Sequence, residues 1–349
     1  MISRLEGCCD EESPALPKWS VRLPLAINQF CFPMLPRFLL VAGISTLISS
    51  VAFCADAKPE VYTDPSQAGP DFAVQGEYTG DNCAAQVVAL GDGKFHIVGW
   101  GHGLPGAVSD FEKKVEVDAR REGDKVVFDG NGWKGEIVGA KLNGTNEKGN
   151  SWSLEKTERK SPTLGEKPPQ GATVLFDGSN ADAWKGKMEN GLLVSGATSK
   201  QAFGDCTIHV EYRIPFKPAA RGQERGNSGV YVQNRYECQV LDSFGLKGED
   251  NELGGIYHVS KPKLNMAFPP LSWQTYDIDF EAAKWDAEGK KTKNAVLTVK
   301  LNGVLVQDHV EVPGPTPGGS KETTEAGPIY LQSHGNPVYF RNIWVVEKK

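Results

Sequence analysis

The chain has 349 residues, of which 39% are hydrophobic and 23% charged, a composition typical of a soluble globular protein with room for two domains. Its formal net charge is −6 and it has no run rich in lysine and arginine, which argues against nucleic acid as the main partner. The 39 glycines and 22 prolines favour many turns and short strands over long helices.

The first predicted element is an amino-terminal leader over residues 1–57. Arg37 precedes a continuous apolar run, FLLVAGISTLISSVAF (38–53), and the small-residue sequence ADA (55–57) follows it. The run is shorter than the roughly 20 residues of a membrane span, and the order basic, apolar, small is typical of a secretory signal peptide. We therefore expect an exported protein, periplasmic or extracellular, with no stable membrane span in the mature chain. The alternative for this run is a single membrane anchor.

Residues 58–160 are predicted to form a small antiparallel β domain. Short alternating segments such as KFHIVGW (94–100) and KVEVDAR (114–120) are separated by the turn signals GDG, EGD and DGNG. This period-2 pattern with regular turns indicates an antiparallel meander, open or closed into a barrel. The sequence SPTLGEKPPQG (161–171) is polar and rich in proline, which predicts a linker.

Residues 172–349 restart the pattern with a further series of strand-like segments. The dipeptide Asn302–Gly303 between two alternating runs is a strong hairpin signal. Because no strand–helix–strand alternation occurs, the series indicates a sandwich of two packed sheets. The longest turn-rich segments, 216–227 and 244–270, are expected to shape a binding rim.

Two polar clusters lie on predicted strands of this sandwich. In YECQVLD (236–242), Glu237 and Gln239 alternate with apolar residues, so they should point away from the core. In the last hairpin, Gln332 and His334 share one face, while Arg341 lies on a polar face opposite Trp344. Each cluster alone could be a solvated sheet face, but two in one sandwich favour a binding cleft.

The carboxy-terminal region resembles the 3-keto-disaccharide hydrolase domain family. The resemblance spans about 173–347 and rests on a run of motifs in order: LFDGSNADAW, FGDCTIHVEYRIP, NSGVYVQNRYECQVLD, GGIY, WQTYDIDF, LNGVLVQD, GPI and HGNPVYFRNIWV. It implies a concanavalin A-like jelly-roll β-sandwich. The whole chain is then all-β, with a small antiparallel β-meander domain before the jelly roll.

The resemblance also implies a chemistry. Glu237, Gln239 and Asp242 stand where related β-glucanases place an E-x-D-x-x-E strand, and the central acid is an amide here. A retaining glycosidase needs two carboxyls about 5–5.5 Å apart, so ordinary glucanase activity is in doubt. A glycoside oxidised at C3 needs no such pair. Its C2–H is acidic, so a base can remove it, the C1 aglycone leaves by elimination, and water adds back.

Such a site requires a base near C2, donors on the enolate oxygen and a proton donor for the leaving group. The hypothesis assigns Glu237 as the base and Arg341 as the clamp on the enolate. His334 or Asp242 is the proton donor. The residues expected to bind the substrate are Asn227, Tyr231, Gln239, His258, Trp273 and Gln332.

The sequence predicts an enzyme that cleaves 3-keto-glycosides, with a lectin-like carbohydrate-binding protein as the alternative. No nicotinamide or flavin motif is present, so a separate oxidoreductase is expected to supply the keto sugar. No organic cofactor is expected. A divalent cation stays open, with its ligands unknown, because no loop has a convincing calcium-ligand spacing.

Overall fold

The computed structural model describes residues 60–107 and 114–349, and strands dominate it. The predicted signal peptide and leader at 1–57 lie outside the described residues. Helical structure in the described part consists of α1 (Gly69–Val74) and two short 3₁₀ turns, Pro65–Gln67 and Gly222–Glu224. None of the described helices has the length and apolar character needed to cross a bilayer. The all-β prediction is therefore confirmed.

The amino-terminal strands close into an eight-stranded antiparallel barrel, in which each strand pairs with the next and the last with the first. Alternate side chains fill its interior, as the period-2 pattern predicts. The strands are β1 (Gly76–Thr79), β2 (Cys83–Gly91), β3 (Lys94–Gly101), β4 (Lys114–Glu122), β5 (Lys125–Gly130), β6 (Trp133–Val138), β7 (Lys141–Thr145) and β8 (Ser151–Thr157).

The carboxy-terminal strands form a sandwich of a five-stranded and an eight-stranded sheet. The five-stranded sheet has the order β10-β13-β22-β15-β16, with β10 (Trp184–Lys185), β13 (Ala197–Phe203), β15 (Ser228–Val232), β16 (Tyr236–Val240) and β22 (Gly327–Leu331).

The eight-stranded sheet has the order β11-β12-β23-β14-β17-β20-β21, with β9 also pairing with β23. Its strands are β9 (Thr173–Phe176), β11 (Met188–Glu189), β12 (Leu192–Val194), β14 (Cys206–Arg213), β17 (Trp273–Glu281), β20 (Ala295–Leu301), β21 (Val304–Val312) and β23 (Tyr339–Glu347). A separate ribbon pairs β18 (Lys284–Trp285) with β19 (Lys291–Lys293).

The apolar faces of the two sheets meet in one core. On β16 the core residues are Tyr236, Cys238 and Val240, so the alternate residues of this strand point outward, as the sequence predicts. The described cysteines Cys83, Cys206 and Cys238 are all free.

The face predicted for Trp344 is wrong. Asn342 has a φ of 43°, and the register of β23 against β14 shifts at this point. The extra residue moves Trp344 to the outer face, where its ring stacks on His209 with centroids 5.0 Å apart. Simple alternation along β23 therefore fails after Arg341.

The segment 161–171 is docked on the outer face of the eight-stranded sheet. Ser161 Oγ lies 2.6 Å from Thr275 Oγ1, and the Gly165 N–H donates to Glu211 over 2.5 Å. These contacts hold the chain that connects barrel and sandwich to strands β14 and β17.

Candidate active site

A buried carboxyl and a phenol form the centre of the site. Glu237 on β16 lies directly opposite Tyr231 on β15, and both side chains point away from the core. Each is only 1% exposed, and the Tyr231 hydroxyl lies 2.7 Å from Glu237 Oε2. Burial raises the pKa of Glu237 to about 7, although the hydrogen bond from Tyr231 opposes the shift. A carboxyl that titrates near neutrality is suited to proton transfer in either direction.

The hydrogen bonds of Tyr231 link this carboxyl to its surroundings. The phenol oxygen lies 2.8 Å from the Pro317 carbonyl oxygen and 3.2 Å from Gln332 Nε2. A phenol has one hydrogen, so it donates either to Glu237 or to Pro317 at any moment. When it donates to Pro317, the contact with Glu237 holds only if the carboxyl is protonated and donates in turn. The pair therefore has one arrangement for each protonation state of Glu237.

The glycine at position 229 makes room for this carboxyl. A Cβ at Gly229 would lie 2.1 Å from Glu237 Oε1, far inside contact distance. Sequence reasoning missed this residue. The available signal was a glycine inside a strand, which often marks the close approach of another group.

A wall of side-chain amides continues from the carboxyl along the same face. Gln223 Oε1 accepts from Asn227 Nδ2 at 2.8 Å and from Gln239 Nε2 at 3.1 Å. Asn227 Oδ1 and Gln332 Oε1 are buried and have no hydrogen-bond partner among the described residues. Buried acceptors without partners are unfavourable, and a sugar hydroxyl reaches these two enclosed oxygens only when neighbouring side chains move. Gln223, from the loop before β15, was not predicted.

Two half-buried tyrosines flank the centre. The ring of Tyr330 on β22 lies 5.7 Å from the ring of Tyr231. Tyr257 donates its backbone N–H to the Glu237 backbone carbonyl over 3.0 Å. Burial and the charge of Glu237 raise the pKa of the Tyr257 phenol. Aromatic faces with a polar edge suit the apolar faces of pyranose rings. His258, a predicted substrate residue, is exposed, and its ring contacts the ring of Tyr257 at a tilt of 48° with centroids 4.3 Å apart.

His334 lies at the solvent edge of this face, in the exposed turn that follows Gln332. Its backbone carbonyl accepts from Asn336 Nδ2, and within the described residues its imidazole makes no hydrogen bond. The structure therefore leaves this ring free but does not join it to Glu237.

Asp242 is not beside Glu237 as a second acid. It follows the end of β16, where its Oδ2 accepts from Arg225 Nε over 2.7 Å and its Oδ1 accepts from the Phe244 N–H over 3.3 Å. The Arg225 guanidinium also donates to the Ala89 carbonyl of the barrel over 3.2 Å. Both carboxylate oxygens are thus engaged, and the pair connects the sandwich to the barrel. This corrects the hypothesis that Asp242 protonates the leaving group.

Arg341 and Trp273 lie on the other sheet. Arg341 on β23 and Trp273 on β17 belong to the outer face of the eight-stranded sheet, with the Arg341 guanidinium 4.0 Å from the indole centroid. Arg341 also donates to Glu211 over 2.7 Å. Since Glu237 is on the outer face of the five-stranded sheet, the whole sandwich separates it from Arg341. Arg341 therefore cannot clamp an enolate at Glu237.

The outer face of the eight-stranded sheet carries its own charged cluster. Buried His209 lies 2.6 Å from Asp277 Oδ1 and 3.7 Å from Glu211 Oε1. With Glu166, His209 and Asp277 form a group of potential metal ligands within the described residues. Burial opposes the charge of His209, but the carboxylates of Asp277 and Glu211 outweigh it and raise its pKa to about 9. With its imidazole protonated between the two carboxylates, His209 forms an ion-pair network.

This network predicts a pH-dependent stability. The pKa of His209 is about 9 in the folded state and 6.5 in the unfolded state. Protonation of His209 therefore stabilises the fold fully below pH 6.5, and this stabilisation is lost as pH rises through 9. The loss is about 3 kcal/mol. We expect urea unfolding of His209→Gln to lack this decline between pH 6.5 and 9. The matched variant His309→Gln, at an exposed histidine, should keep it. An unchanged decline in His209→Gln would show that the imidazole is neutral.

The match to a known protein family covers the carboxy-terminal sandwich. A family model for the 3-keto-alpha-glucoside-1,2-lyase-like domain matches residues 171–346. Among solved structures, the chain is similar to a candidate glycosyl hydrolase from Parabacteroides distasonis ATCC 8503, with 35% identity, 52% of this chain and 85% of that chain covered, and a TM-score of 0.47. A second from the same organism has 19% identity, coverage of 52% and 95%, and a TM-score of 0.38. No curated protein matches the chain.

Proposed function

Because the chain belongs to the 3-keto-alpha-glucoside-1,2-lyase-like domain family, we propose that it cleaves the glycosidic bond of 3-keto-glycosides at the Glu237 site. The family match supports a carbohydrate-active enzyme. The observation that carries the finer proposal is the buried Glu237–Tyr231 pair, a carboxyl with a pKa of about 7 beside a proton-relaying phenol.

In this proposal the ionised form of Glu237 takes the proton from C2. The electron pair of the C–H bond forms an enolate, with its charge on the C3 oxygen, where N–H and O–H donors stabilise it. Gln332 Nε2 is the donor on this face, because its amide has a second hydrogen beside the one that it donates to Tyr231. The enolate then re-forms the C3 carbonyl as C1=C2 forms and the C1–O bond breaks.

The leaving oxygen needs a proton in the same step. With Asp242 engaged by Arg225, we assign this proton to His334, whose ring faces solvent beside Gln332. Addition of water to the C1=C2 bond completes a net hydrolysis, and release before this addition makes the reaction a lyase reaction. In the hydrolytic course Glu237 returns its proton to C2 as water adds at C1, and His334 takes a proton from that water. In the lyase course Glu237 releases its proton to solvent and His334 takes one from solvent.

An ordinary glycosidase mechanism is less well supported. It requires a second carboxyl about 5–5.5 Å from the first in a retaining enzyme. On the strand of Glu237, the two positions that would supply it hold the amide Gln239 and the ion-paired Asp242. Abstraction of a proton next to a ketone needs only one carboxyl group.

A lectin-like role is the second candidate, because the unpartnered amide oxygens and the flanking tyrosines would bind a sugar without any chemistry. The two candidates differ at Glu237. A binding protein should retain most of its sugar affinity in Glu237→Gln, whereas the enzyme should keep binding and lose turnover.

The test is to incubate the protein with an α-linked glucose disaccharide and with its 3-keto derivative, and to follow the released glucose. Turnover of the keto form alone supports the elimination route. Turnover of the plain disaccharide at a similar rate would overturn it. Binding of either sugar without turnover would favour the lectin-like role.

Two further parts of the proposal concern the surroundings of the reaction. A substrate with a C3 ketone has to be made by an oxidation, so we propose that a separate oxidoreductase acts first. Export is proposed from the leader sequence at 1–57, and sequencing of the amino terminus of the secreted protein would test it.

A further inference from the structure

The amino-terminal barrel contains a cavity that the proposed reaction does not use. It lies inside the barrel and has a volume of about 390 Å³. Small residues on β2 and β3 form one part of its wall, namely Cys83, Ala85, Gly99 and Gly101, although Ile97 and Trp100 on β3 also line it. Large aromatic residues form the wall on β5, β6 and β8, namely Phe128, Trp133 and Trp152.

The glycines explain why space remains. A Cβ at Gly135 would lie 2.6 Å from the Phe128 ring, and one at Gly144 would lie 2.4 Å from the Trp152 ring. Aromatic side chains therefore occupy the space next to these two glycines. A Cβ at Gly99, by contrast, would have its nearest neighbour at 3.8 Å, and one at Gly101 would meet nothing within 4 Å. The cavity is therefore the volume that large side chains at positions 99 and 101 would occupy.

The walls define what the cavity can hold. No charged residue is among its described lining, so an ion would lose its hydration without compensation. The described lining offers the side-chain amides of Asn82 and Asn146 and is otherwise mostly apolar, so it fits a neutral and largely apolar ligand.

The volume of the cavity narrows the class of ligand further. A cavity of about 150 Å³ binds benzene, so one of 390 Å³ accommodates a molecule of two rings. Eight-stranded barrels have an interior just wide enough to be filled by side chains or to hold one small ligand. Here side chains fill one part and leave the other open.

We propose that the barrel is a second binding site, which takes a neutral two-ring aromatic molecule. The rings lie against Trp133 and Trp152. This site is independent of the chemistry at Glu237 and does not require the proposed reaction.

The first experiment titrates the full chain with 2-naphthol by calorimetry. We expect one binding site, with affinity reduced at least tenfold in Gly99→Leu, because leucine fills the open part of the cavity. Ser151→Leu adds the same side chain at an exposed position of β8 and should bind as the native protein does. Absence of binding to the native protein, or full binding to a folded Gly99→Leu variant, would overturn the proposal.

A second measurement needs no variant. Cys83 lines the cavity and is a free, half-buried thiol. Its alkylation by iodoacetamide, located by peptide mass spectrometry, should slow at least fivefold when 2-naphthol is at saturation. An unchanged rate would place the bound naphthol outside the barrel.

Discussion

Replacing Glu237 by glutamine is expected to lower kcat on a 3-keto-glycoside by roughly 10²- to 10⁴-fold, the range that a positioned acid or base contributes. Glutamine keeps the shape of the side chain and a hydrogen bond to Tyr231, so sugar affinity should change little. The measurement is kcat and KM for native and variant protein on the same 3-keto disaccharide. A variant that keeps near-native kcat would remove Glu237 from the reaction.

A second variant separates the position of the carboxyl from its presence. Gly229→Ala places a Cβ where Glu237 Oε1 now lies, so the carboxyl has to move. We expect kcat to fall while the melting temperature stays close to that of Glu237→Gln. Native activity in Gly229→Ala would show that the reaction tolerates a displaced carboxyl.

Glu237→Gln should also change how the stability of the protein depends on pH. The pKa of Glu237 is about 7 when folded and 4.5 as a reference, so the unfolded chain loses this proton first as pH rises. Stability should therefore fall as pH rises from 4.5 to 7, by about 3 kcal/mol. Between pH 5 and pH 8, Glu237→Gln should lose less stability than the native protein by about this amount, and urea unfolding at the two pH values measures the difference. An equal decline in both proteins would mean that Glu237 titrates normally.

Replacing Arg225 by methionine is expected to destabilise the protein by about 3–5 kcal/mol, because it leaves Asp242 as a buried charge without its partner. Arg225 also donates to three backbone carbonyls, at Pro218, Ala220 and Ala89, and these acceptors lose their donor. The measurement is the free energy of unfolding in urea.

Asp242→Asn distinguishes the structural role from the catalytic one. If Asp242 holds Arg225, this variant loses stability, and its folded fraction keeps kcat within a few-fold. If Asp242 were the proton donor, kcat would fall by orders of magnitude in a protein of native stability. The exposed pair Lys263–Asp308 is the matched control, and Asp308→Asn should leave the unfolding midpoint unchanged.

Much of the candidate site follows from the sequence, since its centre is local. Tyr231 and Glu237 are on consecutive strands joined by a short turn, so their register is fixed within a few residues. The alternation of apolar and polar residues along β16 then decides that Glu237 and Gln239 face away from the core. Sequence reasoning could place these groups together because no distant strand is involved.

The position of Arg341 could not be predicted from local alternation. Alternation correctly sets Arg341 opposite Phe340, but it does not say to which sheet the strand belongs. Strand β22 joins the five-stranded sheet, while the next strand, β23, crosses to the eight-stranded sheet. Two residues of one predicted hairpin, Gln332 and Arg341, therefore lie on opposite sides of the sandwich. The assignment of Trp344 failed for a smaller reason of the same kind, the shift of register at Asn342.

The sequence by itself determined the class of the fold, through its periodicity and short turns, and the family, through its run of motifs. It also determined the outward direction of Glu237 and Gln239, because alternation along one strand is a local property of the chain. The tertiary structure alone decided the closure of the barrel, the burial that raises the pKa of Glu237, and the engagement of Asp242 by Arg225. These depend on which strands pair across long stretches of sequence. Long-range pairing is fixed by the packing of the whole core, to which each segment contributes only a part.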